Sequence, residues 1–144
     1  MKRVILSVTE DLYTDQRMDK MSLFLHKKGF DVTLVGRCYG DSPVLEKRPY
    51  KTKRLRLLFR RGFLFYAEYQ FRLLLYLFFQ KCDLLVANDL DTLLPNYLVS
   101  KWRKKELIYD SHEYFCGELS VVNKPISYKV WHGIEKCCFP KLKK

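Results

Sequence analysis

The sequence predicts an α/β protein built on a single doubly wound parallel sheet of about five strands, in the order 3-2-1-4-5. Three observations carry that expectation. Short, nearly continuous apolar runs alternate with segments whose apolar residues recur every three and four positions. The first two such runs flank a helical segment, and the three together fill roughly thirty residues, the length of a β-α-β unit. Finally, 144 residues, 48% of them apolar, make one domain with enough material for a real core.

Arg3 to Thr9 holds Val4, Ile5, Leu6 and Val8, as expected of a strand buried on both faces. Thr14 or Asp15 caps a helix running to about Lys28, with Met18, Met21 and Leu25 on its apolar stripe, and Gly29 stops it. Asp31 to Val35 is the second strand. Residues 38 to 50 contain Gly40, Pro43 and Pro49 and read as a loop, and Lys53 to Phe59 reads as a third, edge-like strand. A long aromatic helix follows over residues 63 to 79, with Phe65, Tyr69, Leu73 and Tyr76 expected on its inner face. Leu84 to Ala87 is the fourth strand. Asp91 or Thr92 caps the next helix, with Pro95 in its first turn and an end near Lys104. Glu106 to Tyr109 is the fifth strand, and Pro125 to Cys138 the last helix.

Ligands of such sheets bind beyond the carboxyl ends of the strands, at the switch point between the first and fourth. Those ends deliver Glu10, Asp11 and Asp15, then Asn88, Asp89 and Asp91, then Asp110, His112 and Glu113. Seven of the sixteen acidic residues crowd this rim in a chain of net charge +11, although Asp15 and Asp91 equally suit helix N-caps. No G-x-G-x-x-G or P-loop follows the first strand, and acids stand where a pyrophosphate would sit. Asp110, His112, Glu113 and Cys116 match no common metal-ligand spacing, so no metal site is assigned. A polar site for a sugar hydroxyl, with His112 as hydrogen-bonding or acid–base group, fits these residues best.

Asn88-Asp89-Leu90-Asp91-Thr92-Leu93-Leu94-Pro95, Tyr109-Asp110-Ser111-His112-Glu113, and Lys124-Pro125 with Trp131 and Ile134-Glu135 together resemble the N-terminal half of family 4 glycosyltransferases, which have the two-domain GT-B fold. Asp15-x-Arg17 and Lys28-Gly29-Phe30-Asp31-Val32 belong to the same pattern, so the likeness spans residues 3 to about 139. It implies one Rossmann-like domain, the acceptor-binding half of an enzyme that moves a sugar from a nucleotide-sugar donor to a glycan or lipid-linked acceptor. It further implies retention of anomeric configuration, no obligatory metal and no covalently bound cofactor. His112 is expected to face the transferred sugar. Asp89 and Asp91 are expected acceptor contacts; Glu10, Asp11 and Arg17 are placed on the cleft-facing first loop, and Asp110 and Glu113 beside His112. The chain departs from the family in having Glu10-Asp11-Leu12 for a Gly-rich turn. The nucleotide-binding C-terminal domain, expected in the same or another chain, does not follow within these residues.

From Lys47 to Arg61 there are eight basic residues and no acid. With the aromatic helix behind it, this run suggests an anionic membrane surface as partner, through Lys53, Arg54, Arg56, Arg60 and Arg61. The helix itself does not span a bilayer, because Glu68 and Arg72 interrupt a segment already below the roughly 20 apolar residues required. The alternative is a non-catalytic interaction module or a nucleic-acid-binding one, although no nucleic-acid-binding signature is present. Five cysteines, an odd number without C-x-x-C spacing, suit free thiols in a reducing compartment. The five-residue apolar run after Arg3 is too short for a secretory signal. A cytoplasmic location follows as the expectation, peripheral on the inner membrane face where the basic run engages lipid.

Overall fold

The chain runs β1 (Arg3–Asp11), α1 (Gln16–Lys27), β2 (Asp31–Cys38), β3 (Lys51–Arg56), α2 (Gly62–Phe79), β4 (Leu84–Asn88), α3 (Leu90–Arg103) and β5 (Glu106–Asp110). This computed structural model describes residues 1–60, 62–88 and 90–110. The helix expected at 125–138 lies outside them. The five strands form one sheet in the order β3-β2-β1-β4-β5, every pair parallel.

Alternation along β1 divides the core. Ile5 joins Val35, Leu55, Leu85, Val99 and the inner stripe of α2 on one face, while Val4, Leu6 and Val8 join Met18, Val32 and Leu34 on the other. Right-handed crossovers account for the layers. The step from β1 to β2 runs one way along the sheet, and those through α2 and α3 run the other, so among the described helices α1 has one face to itself.

Local chemistry sets the boundaries. Asp15 caps α1, its carboxylate accepting the Met18 N–H at 3.0 Å. The helix closes in a Schellman motif: Phe30 N–H bonds Leu25 O, Gly29 N–H bonds His26 O, and Gly29 takes φ +94°. Gly36 is required for a different reason. A Cβ there would lie 2.7 Å from Glu10 O and 2.6 Å from the Leu12 side chain, where β1 bulges between Ser7 and Asp11.

Several details differ from the sequence expectation. β1 reaches Asp11, so Glu10 and Asp11 belong to the strand and not to the loop, and Arg17 stands in the first turn of α1. β3 is Lys51–Arg56; beyond it Leu57 is buried as the chain leaves the sheet, and the N–H groups of Leu58 and Phe59 bond the Glu68 carboxylate. α3 begins at Leu90, which puts Asp91 inside the first turn and Pro95 in the helix interior. On α2 the buried stripe is Phe65, Tyr69, Leu73 and Leu77; Tyr76 is partly buried beside it. Arg103 of α3 donates to Leu77 O at 3.2 Å and to Gln80 O, supplying partners for carbonyls that the end of α2 leaves unpaired.

Candidate functional site at the carboxyl ends of the strands

Strand ends and the start of α1 converge on one rim. Asn88 and Asp110 end β4 and β5 as register partners, so their side chains stand next to each other across the sheet. Arg17, projecting from the first turn of α1, spans both. Its Nη1 donates to Asn88 Oδ1 at 3.1 Å and its Nη2 to Asp110 Oδ2 at 2.7 Å. The planar guanidinium suits this double contact.

On the neighbouring strand the Thr9 hydroxyl donates to the buried Asp91 carboxylate, which fastens the end of β1 to the start of α3. Thr92 Oγ1 donates to Asn88 O at 2.9 Å, and Asn96 Nδ2 to Thr92 O at 2.8 Å. Asn96 is fully buried, and its Oδ1 has no hydrogen-bond partner among the described residues. Beneath this rim Tyr69 donates its phenol proton to Val8 O. Burial pushes that phenol well up, and the Asp91 carboxylate adds to the shift against an opposing effect of Arg37.

Asp11 is also neutralised in place. Arg54 Nη2 donates to its carboxylate at 2.8 Å and the Tyr13 N–H at 3.1 Å, while Arg54 Nη1 bonds Pro43 O at 2.8 Å. Burial works to raise the Asp11 pKa. Hydrogen bonds from Ser42, Tyr13 and Arg54 outweigh it and hold the carboxyl below its ordinary value.

The structure thus brings Asp11, Arg17, Asp91 and Asp110 to one end of the sheet. Glu10 is exposed there and makes no ion pair among the described residues. Asp89, His112 and Glu113 lie outside the described residues. Thr9 was not expected at this rim, Arg54 was expected at a membrane surface instead, and Asn88 was expected here without a partner. Arg54 had a usable signal: it alternates with Leu55 and so shares a strand face with Tyr50, away from Leu55.

Half of the basic run is paired within the fold. Arg48 pairs with Asp19, Lys51 with Asp31, Arg54 with Asp11 and Arg60 with Asp41. Of the five residues expected to meet a membrane, Arg54 is therefore turned inward and Arg60 is engaged at the surface. Lys53 stacks 5.8 Å from the Tyr76 ring, Arg56 is exposed, and Arg61 lies outside the described residues. No helix among the described residues is long and apolar enough to cross a membrane.

No protein-family model matches the sequence, and no curated protein matches it. Solved structures do. The C-terminal domain of a hydrogenase from Pyrococcus furiosus is 13% identical with a TM-score of 0.54, over 76% of this chain and 90% of that one. UDP-GlcNAc 2-epimerase from Methanocaldococcus jannaschii is 16% identical with a TM-score of 0.52, over 92% of this chain and 36% of the epimerase. The fold is Rossmann-like. At these identities the likeness is one of fold alone, and the chain spans about a third of the epimerase's length.

Proposed function

We propose that the chain is the acceptor-side half of a GT-B glycosyltransferase, completed by a nucleotide-sugar-binding domain in the same or another chain. The observation that carries this reading is the convergence of Asp11, Arg17, Asn88, Asp91 and Asp110 at the carboxyl ends of β1, β4 and β5, the place where doubly wound sheets hold ligands. Carboxylates and amides in fixed geometry match the alternating donors and acceptors of sugar hydroxyls. The likeness of fold to an enzyme named for a nucleotide sugar supports the same reading. The motif around His112 supports it independently through the sequence resemblance. In this reading His112 faces the reacting sugar, Asp89 and Glu113 stand beside the acceptor, and Arg17 orients Asp110.

A lipid surface fits as the partner that presents such an acceptor. Opposite the buried stripe of α2, Leu64, Phe71, Leu75 and Phe78 are exposed, and Trp102 of α3 extends the patch, its ring 6.1 Å from that of Phe78. Lys101 adjoins it in sequence, while Arg72 is paired with Glu68 at 3.1 Å. The ion pairs within the basic run weigh against a nucleic-acid partner, because they remove cations from phosphate contact.

Sugar-transfer assays test the proposal. Residues 1–144 alone turn over no UDP- or GDP-sugar, since no phosphate-cradling loop follows β1. In the two-domain enzyme His112→Ala lowers kcat by roughly 10²–10⁴ with little change in Tm. Robust transfer by these residues alone overturns the half-enzyme reading, and unchanged kcat with a lowered Tm makes His112 structural.

A further inference from the structure

At the opposite, amino-terminal end of the sheet, a cleft of about 620 Å³ opens between β1–β3 and the end of α2. Its origin is legible in the strand alternation. On the face that α2 covers, Ile5, Val35 and Leu55 form the apolar core, and two residues earlier on each strand stand Arg3, Thr33 and Lys53. One step further back are Asp31 and Lys51. The core therefore gives way to a charged row where α2 ends, and Tyr76, Phe79, Gln80 and Lys81 form the other wall.

The charges of this cleft do not cancel. Arg3, Lys51, Lys53 and Lys81 line it against one carboxylate, Asp31. Lys51 is paired with Asp31 at 3.3 Å, and Arg3 contacts Asp83 at 3.5 Å. Lys53 and Lys81 have no carboxylate partner among the described residues; Lys53 rests 5.8 Å from the Tyr76 ring. Two uncompensated ammonium groups beside the Thr33 hydroxyl and the Gln80 amide make a donor-rich recess. Phe79, 75% exposed, and Tyr76 supply apolar and ring surface at its edge. The volume lies in the range of small-molecule sites.

We propose that this cleft is a binding site for a phosphate-bearing group, a phosphate mono- or diester or a diphosphate. Lys53 and Lys81 hold the anion, and Phe79 packs on the attached carbon skeleton. The site is separate from the sugar-binding rim and stands without that reading. Its phosphate comes either from a soluble ester or from an anionic lipid headgroup presented beside the exposed face of α2.

Calorimetric titration with inorganic pyrophosphate and with glycerol 3-phosphate tests the proposal. Three forms are compared: the unmodified chain, Lys53→Gln/Lys81→Gln, and Lys20→Gln/Lys27→Gln, which removes the same charge from exposed positions on α1. The expected result is a loss of at least about tenfold in affinity for the cleft variant and no loss for the α1 variant. Lys81→Glu serves as a second cleft variant, and circular dichroism checks that every form is folded. Flotation with phosphatidylglycerol vesicles identifies the source. Flotation abolished by the cleft substitutions assigns a lipid phosphate, and saturable glycerol 3-phosphate binding without flotation assigns a soluble ester. No binding of either phosphate together with no flotation, or equal loss in the cleft and α1 variants, overturns the site.

Discussion

At the carboxyl end of the sheet the arginines arrive with their carboxylates: Arg54 meets Asp11 at 2.8 Å and Arg17 meets Asp110 at 2.7 Å. At the amino end Lys53 and Lys81 face a cleft whose single carboxylate among the described residues, Asp31, is already paired with Lys51. The first arrangement fixes side chains in one geometry and leaves little field. The second leaves a field and little fixed geometry. Precise hydrogen bonding to a neutral, hydroxyl-rich ligand needs the former, and capture of an anion needs the latter. A chain of net charge +11 therefore does not present that charge evenly.

Substitutions at the two ends sharpen this contrast. The largest effect is expected at Asp11→Ala, which strands Arg54 in a site where the two side chains are 12% and 18% exposed. Chemical denaturation should register a loss of about 3 kcal/mol, with much of it recovered when Arg54→Met is added. The same pair gives a pH signature. The Asp11 carboxyl is lowered in the folded state, so its contribution is complete above the unfolded value of 3.8 and is lost as pH falls through the folded value. Asp11→Ala should remove that acid-side step from the Tm-against-pH profile.

Arg17→Ala should cost less, about 0.5–1 kcal/mol, because its ion pair is 41% and 29% exposed; the loss should shrink in high salt. Smallest is Lys53→Gln/Lys81→Gln, expected within about 0.5 kcal/mol of the unmodified chain, because neither lysine makes an ion pair among the described residues. A destabilisation there as large as that of Asp11→Ala would erase the distinction between the ends.

The strand order and the parallel sheet were legible because Arg3–Thr9, Asp31–Val35 and Leu84–Ala87 are nearly unbroken apolar runs, and Asp15 and Gly29 mark both ends of α1. The end of β3 was not, because Leu57 is buried where the chain leaves the sheet, its N–H making a last bond to Cys38 O, and hydrophobicity reports burial without marking where a strand ends. Tyr76 was expected inside for a related reason. The four-residue spacing from Phe65 continues to Leu77, and an aromatic helix offers apolar residues on every side. At the candidate site, strand-end position sufficed to pick out Asp11, Asp91 and Asp110, whereas Arg17 was expected there only through the family resemblance. Their partners were hidden, because the pairs join residues 43 and 93 positions apart, and one-dimensional pattern carries no such information.

The sugar-binding rim is tested most directly by amide chemical-shift mapping of the labelled chain with a panel of disaccharides at millimolar concentration. The predicted result is perturbation from Glu10 to Arg17 and at Asn88, Asp91 and Asp110, with none at Lys51–Lys53 or Tyr76–Lys81. Shifts confined to the amino end, or no response to any saccharide, would contradict the assignment of the carboxyl end as an acceptor site.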